Sequence, residues 1–339
     1  MFTVPTVDLA PYVDPDGDPA ARSRTARALD EACRTVGFVQ VVGHGVPDTV
    51  VEGLASALDD VFALPMPQKK ALVATDGTNR GYSPPRSESV SRSLGVEQAT
   101  RMNDFFEAFN VGTSADGPAT GGDGNRWPDV GGFRDRVEAW FAEAQRVART
   151  LTRAFADALG LDPDTFTRLA HDPVEVLRMN NYALDQQELP EGADLTGMGE
   201  HTDYGIVTVL WADRVAGLQV LGPDDGCWHD VLPADGALLV NLGDLTARLT
   251  GDRWLSTLHR VKPPIENGMI KRRRSAAFFH DGDLDAVVET LPLDGAHPYP
   301  PTTVRDHLDA KLAGSRGGTL NAAADREAAR VHAATGAAR

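Results

Sequence analysis

Two periodicities divide the chain. Between 133 and 155 apolar side chains recur at three- and four-residue steps (Phe133, Val137, Trp140, Phe141, Ala144, Val147, Ala148, Leu151, Phe155), the spacing of one apolar stripe on a long helix. From about 174 to 290 the pattern becomes short apolar or alternating runs at 175–183, 203–211, 217–221, 227–231, 237–241, 256–263 and 272–280, separated by Gly, Pro and Asp. Runs of this length bounded by turn residues predict seven or eight antiparallel strands, and such a series predicts two sheets closed into a barrel.

Upstream, the pattern predicts a short strand at 3–9, a helix over about 18–36 stopped by Gly37, and an apolar strand Phe38–Val42 ended by His44-Gly45-Val46-Pro47. A helix follows at about 48–62 with Asp48 as its cap, since a short acidic side chain can satisfy free N–H groups at a helix start. A Gly-, Ser- and Pro-rich stretch at 76–103 is too long for a simple connection and reads as functional or mobile. Residues 104–109 read as a further strand, and the turn at 250–254 is expected near the barrel mouth.

The predicted fold class is α+β with a mainly β core: a double-stranded β-helix (jelly roll, cupin-like) with a flanking N-terminal α/β region and a long packing helix. The expected divisions are an N-terminal region 1–112, a flexible loop 113–126, a helical spine 127–170, the barrel 171–290, and a C-terminal helical region 291–339. That last region carries a helix near 303–312 and an Ala-rich helix beyond it.

Composition narrows the function. A length of 339 residues, 42% of them apolar, supports an ample core. A net charge of −16 argues against general nucleic-acid binding, which depends on neutralising phosphates. No apolar run reaches the 18 residues expected of a membrane span, and the first residues lack a secretory pattern. Two cysteines cannot build a disulfide framework, so a reducing cytoplasm is the expected setting; the sequence does not fix oligomeric state, and a monomer is the default expectation.

The candidate chemistry begins at His201-Thr202-Asp203. On a strand, residues two apart share a face, so His201 and Asp203 would project together. His259, in S-T-L-H-R-V, supplies a third ligand of suitable type. Two imidazoles and a carboxylate on one face of an ion is the arrangement of non-heme Fe(II) oxygenases, although zinc accepts the same donors. Near 273 the same parity puts Arg273, Ser275, Ala277 and Phe279 on one face, and Arg with Ser two apart forms a carboxylate receptor. The basic run 271–274 continues into apolar A-A-F-F, as a half-buried strand would and a solvated edge would not. Arg178, Asn180 and Tyr182 share a third face, with groups that could complete the hydrogen bonding of a buried diacid. His44 reads as a turn residue bonded to backbone, and neither His229 nor His280 is expected to bind metal.

Taken together, H-T-D at 201–203, N-x-G-D at 241–244, H-R-V at 259–261, R-x-S at 273–275 and N-x-Y at 180–182 resemble the 2-oxoglutarate- and Fe(II)-dependent oxygenases of the isopenicillin N synthase-like class. G-F-V-Q-V-V-G-H-G-V-P at 37–47, F-A-L-P-M-P-Q-K-K at 62–70 and G-Y at 81–82 extend the resemblance across most of residues 3–290. It implies Fe(II) on His201, Asp203 and His259, with 2-oxoglutarate chelating the metal and its far carboxylate on Arg273 and Ser275, assisted by Asn180 or Tyr182. O2 would be the second cosubstrate, succinate and carbon dioxide the coproducts, and a small molecule the primary substrate. Hydroxylation is the favoured outcome, with desaturation, epoxidation or cyclisation open, and Asp203 occupies the position a halogenase leaves to chloride. Tyr82, Arg86, Arg178 and Phe279 are the substrate-contact candidates. The alternatives are an isopenicillin N synthase-like oxidase that does not use 2-oxoglutarate, and a zinc hydrolase or non-catalytic cupin-type binding protein. T-G-D-R-W at 250–254 departs from the family's Thr-Asn-Gly before the second His segment.

Overall fold

The computed structural model describes residues 2–87, 90–94, 104, 106–113, 124–183, 197–262, 265–266 and 269–315. The first half contains β1 (Thr6–Asp8), α1 (Ala10–Val13), α2 (Pro19–Thr35), β2 (Phe38–Val42), α3 (Asp48–Ala63), α4 (Met66–Ala71), β3 (Gly81–Ser83), β4 (Glu107–Gly112) and α5 (Phe133–Leu159). Then follow β5 (Val174–Tyr182), β6 (Met198–His201), β7 (Val207–Ala212), β8 (Leu218–Leu221), β9 (Trp228–Asp230), β10 (Leu238–Leu242), α6 (Asp244–Thr250) and β11 (His259–Val261). The short strands β12 (Ile265–Glu266) and β13 (Met269–Ile270), then β14 (Arg273–Gly282), β15 (Val287–Val288), β16 (Thr302–Thr303) and α7 (Val304–Ser315) complete the described chain.

An eight-stranded sheet in the order β1-β2-β10-β7-β14-β5-β4-β3 faces a four-stranded sheet β6-β11-β8-β9, and the two make the jelly roll. The N-terminal strands therefore extend the barrel sheet itself. Two apolar clusters follow from that layering. Val39, Val41, Phe109, Leu177, Met179, Val209, Val240 and Phe278 turn outward and pack under α2, α3 and α5. Phe38, Ala108, Tyr182, Leu218, Val220, Leu239 and Val261 fill the space between the sheets.

The helical spine is as its stripe predicts: Phe133, Val137, Trp140, Val147, Leu151 and Phe155 are fully buried, and Gly160 ends the helix in the left-handed region at φ 65°. A polar tie also fixes it to the barrel. Glu175, on the outer face of β5, accepts from Gln145 of α5 (2.5 Å) and pairs with His280 Nδ1 of β14 (2.7 Å). β5 is buried on both faces along its length, so its sequence does not alternate in polarity as a half-solvated strand would.

Several elements differ from the sequence reading. The strand expected at 203–211 starts only at Val207, because the chain leaves the small sheet at His201 and crosses to the large one. The N-x-G-D segment at 241–244 runs from the end of β10 into a helix, α6, that the pattern does not predict. Pro47 takes the cap position of α3, and Asp48 sits in its first turn without a side-chain cap bond. The 250–254 segment does not reach the barrel cavity: Trp254 is wholly buried edge-on to Phe155, its indole N–H donating to Asp30 (2.8 Å). The strand expected at 104–109 runs instead from Glu107 to Gly112. Most of the loop expected at 113–126, and all of the Ala-rich C-terminal helix, lie outside the described residues. Among the described residues no helix is long and apolar enough to cross a membrane, and Cys33 and Cys227 are unpaired.

Phe278 is fully buried where β14 meets α5, with its ring edge-on to Phe141 at 5.0 Å. Phe278→Ala is expected to lower unfolding free energy by about 3–5 kcal/mol through the lost transfer energy and the cavity left behind. Urea denaturation followed by circular dichroism measures this, and an unchanged midpoint would contradict the packing described.

Candidate active site

His201 is the last residue of β6, Asp203 lies two residues into the crossover, and His259 opens β11 directly opposite His201 in the antiparallel register. The three are brought together by a chain switching sheets, so the shared face arises without Asp203 being on a strand. Asp203 Oδ1 lies 3.8 Å from His201 Nε2 and 3.7 Å from His259 Nε2. One ligand atom from each of the three lies within 4.8 Å of the others, and all three residues are buried.

Each of the three side chains is oriented by a neighbour. His201 Nδ1 is 2.8 Å from the Gly199 carbonyl and His259 Nδ1 is 3.0 Å from that of Thr257. An imidazole donating from Nδ1 leaves the Nε2 lone pair free for a metal. Burial, followed by the second imidazole, holds the His201 pKa well below its usual value against the opposing pull of Asp203. The neutral ring is the ligating form. Asp203 Oδ2 accepts from Thr208 (2.5 Å) and from the Asn241 amide (2.6 Å), which leaves Oδ1 to face the histidines.

The N-x-G-D segment accounts for the rest of the bracing. Besides Asn241, the Asp244 amide donates to the Asp203 carbonyl (2.8 Å) and the Gly243 amide to that of Ile206 (3.2 Å). A Cβ at Gly243 would lie 2.1 Å from the Gly205 carbonyl oxygen, so only glycine permits this approach. The sequence marks N-x-G-D as part of the resemblance without assigning its residues a contact. Its direct hold on the carboxylate, and that of Thr208, were missed; Thr208 carries no signal beyond its place on the strand after H-T-D.

A cavity of about 170 Å³ runs from the triad along the inner faces of β5 and β14. The register sets Arg273 beside Tyr182, Ser275 beside Asn180, Ala277 beside Arg178 and Phe279 beside Val176. All eight line the cavity, as the alternation predicts. Arg273 is 2% exposed, and its Nε and Nη1 have no hydrogen-bond partner among the described residues. A guanidinium remains charged at neutral pH, and buried N–H groups of this kind are costly unless met by an acceptor. Burial lowers the pKa of Arg273 and raises that of Tyr182, the latter offset in part by the Arg273 and Arg178 charges and by the hydrogen bond with Ser275. The guanidinium carbon lies 5.3 Å from the Tyr182 ring centre. A planar cation with unmet donors, next to a hydroxyl and a phenol, fits the far carboxylate of a short diacid whose other end reaches the triad.

Arg178, 7% exposed, donates to the side-chain oxygen of Asn180 (3.2 Å) and lies over the Phe106 ring at 5.0 Å. Phe279, Val174, Val176 and Tyr204 continue the wall beyond it, joined by Leu308, Leu312 and Ser315 of α7. From the 76–103 stretch the cavity receives Asn79 and Val90, which sequence reasoning did not single out. Tyr82 and Arg86, which it did, are not in the wall. Tyr82 turns to the helix-packed face and donates to Glu107 (2.7 Å), because its partner in the register is the outward Phe109. Arg86 is exposed, with backbone φ 63°. His44 bonds the Gly236 carbonyl (2.9 Å), His229 pairs with Asp225 (2.9 Å) and His280 with Glu175, so none of them is drawn to the triad.

Residues 173–282 match the family described as the 2OG-Fe(II) oxygenase superfamily, and residues 4–130 match the non-haem dioxygenase in morphine synthesis N-terminal family. The chain is 32% identical to the 2-oxoglutarate-Fe(II) type oxidoreductase hxnY of Emericella nidulans, over 89% of this chain and 87% of that protein. It is 31% identical to clavatol oxidase claD of Penicillium crustosum, over 93% and 97%. The crystal structure of a full-length Neurospora crassa protein in complex with alpha-KG and thymine superposes with a TM-score of 0.79 at 27% identity, over 91% of this chain and 96% of that one. A jelly roll with a buried His-Asp-His cluster and full-length relatives of this kind define one class: the chain belongs to the 2-oxoglutarate- and Fe(II)-dependent oxygenases. It is an oxidoreductase that uses Fe(II), 2-oxoglutarate and O2.

Two substitutions separate the parts of the site. Asn241→Ala removes one of two donors to Asp203 Oδ2 and is expected to weaken Fe(II) binding roughly 10- to 100-fold, measured by anaerobic titration. Arg273→Ala is expected to retain Fe(II) while the 2-oxoglutarate concentration for half-maximal succinate formation rises at least about tenfold, as loss of a charge-assisted pair implies. An unchanged 2-oxoglutarate requirement would remove Arg273 from the cosubstrate site.

Proposed function

We propose that His201 Nε2, Asp203 Oδ1 and His259 Nε2 hold the ferrous ion, and that Arg273 and Ser275, with Tyr182 and Asn180, hold the far carboxylate of 2-oxoglutarate. The observation that carries this reading is the unmet guanidinium of Arg273, buried in the same cavity as the triad. The bound iron and cosubstrate supply the oxidising power; the chain supplies a dry, oriented pocket. Asn241 and Thr208 fix Asp203 Oδ2, so that Oδ1, facing the two imidazoles, would hold the ion. Arg178 and the apolar wall position the carbon to be oxidised.

The primary substrate is a compact molecule with an apolar body and an acceptor group, a carboxylate or carbonyl, directed at Arg178. Val174, Val176, Phe279, Leu308 and Leu312 suit the body, and Arg178 and Asn79 are polar groups beside it. The solved neighbour that binds thymine, a small ring carrying carbonyls, is consistent with this size and chemistry. Hydroxylation of a C–H bond in specialised metabolism, in the cytoplasm and by a monomer, is the favoured reading.

The test is a turnover screen of small aromatic and alicyclic acids, lactams and pyrimidines, scored by succinate and by product mass. A substrate gaining one oxygen per succinate formed is the expected outcome. Substrate oxidised with oxygen consumed but no succinate would instead show the oxidase chemistry that dispenses with 2-oxoglutarate.

A further inference from the structure

The wall that α7 contributes is held by a buried charge. Lys311 is 1% exposed and its ammonium lies 2.5 Å from Asp244 Oδ2. Lysine is almost never this buried unless paired. The same Asp244 oxygen accepts from Thr202 Oγ1 (3.0 Å), and the Asp244 amide donates to the Asp203 carbonyl. The Lys311 ammonium also lies 5.6 Å from the ring centre of Tyr204. Asp244 thus joins the C-terminal helix to the crossover that carries Asp203, through its carboxylate to Thr202 and through its backbone N–H to residue 203. One turn before Lys311, His307 is also buried, and burial together with the Lys311 charge pushes its pKa down to about 4. It is neutral at physiological pH and adds no competing cation. On the adjoining face of α7, Leu308, Leu312 and Ser315 line the cavity.

We propose that Lys311 is a positioning residue: its pairing with Asp244 ties the seating of α7 over the substrate cavity to the set of the crossover between His201 and Asp203. A change at the helix then reaches the metal centre, and occupation of the metal centre firms the helix, although Lys311 touches no ligand atom. This goes beyond the proposed function but rests on the triad being a metal site.

The test uses the full-length protein with Co(II) as the probe, following its visible absorption and dissociation constant, with amide hydrogen exchange over 304–315. Lys311→Met is expected to speed exchange in α7, alter the Co(II) absorption and raise the dissociation constant by about three- to tenfold, less than loss of a residue that contacts a ligand. Because Lys311→Met leaves Asp244 buried without its cation, Lys311→Met/Asp244→Asn is the second variant. It removes both charges and is expected to keep the fold while still showing faster exchange and weaker Co(II) binding. Faster exchange with unchanged Co(II) affinity and spectrum would overturn the coupling, as would unchanged exchange or full recovery in the double variant. Failure of the wild-type chain to bind Co(II) would overturn the triad reading as well, and is recognisable because it precedes any substitution.

Discussion

The site depends on keeping one aspartate from turning away. Asp203 carries a charge into a buried place beside two imidazoles, and an unpaired buried carboxylate would otherwise swing toward any available donor. Thr208 and Asn241 both bond Oδ2, so the oxygen left over has one direction in which to point. Much of the surrounding architecture serves that geometry: the sheet switch after His201, the close approach of Gly243 to Gly205, and the backbone bond from Asp244 to Asp203. The fold by itself brings the three ligand-type atoms together, within 4.8 Å of one another.

At the other end of the cavity the logic is inverted. Arg273 is buried with Nε and Nη1 unpartnered among the described residues, and under the proposed function that cost leaves a dianionic cosubstrate a partner already desolvated and aligned. The Tyr182 ring lies beside the Arg273 guanidinium, 5.3 Å from its carbon to the ring centre. One end of the cavity therefore presents a buried guanidinium and the other a carboxylate between two imidazoles.

Much of this was legible in the sequence where a short periodicity governed geometry. The two-residue alternation placed Arg178, Asn180 and Tyr182, and Arg273, Ser275 and Phe279, correctly inside the barrel, and the helical stripe from Phe133 to Phe155 located the spine. The triad's members were legible, but the reason for their convergence was not: parity on a single strand was the wrong cause, since Asp203 lies in a crossover whose path is set by bonds to residues some forty positions later. Tyr82 was misplaced for a related reason. A three-residue edge strand has too little pattern to reveal which face meets the cavity, and its register with Phe109 turns it outward. Lys311 gave no signal at all, because a lysine on a helix with little amphipathic pattern is expected in water, and only the fold brings Asp244 beneath it.

β5 illustrates what such a layout permits. Reading inward positions from one end, Tyr182 and Asn180 line the cavity beside Arg273 and Ser275, Arg178 follows beside Ala277, and Val176 and Val174 line its apolar end; under the proposed function the first pair meets the cosubstrate and the last the primary substrate. Alternate residues on a strand are separated by about 7 Å, so two neighbouring inward side chains can meet different molecules. Descent with modification at the valine end could retune which compounds are oxidised while the oxidising apparatus at the tyrosine end stays intact. A single nine-residue strand thereby lines two chemically different stretches of one cavity.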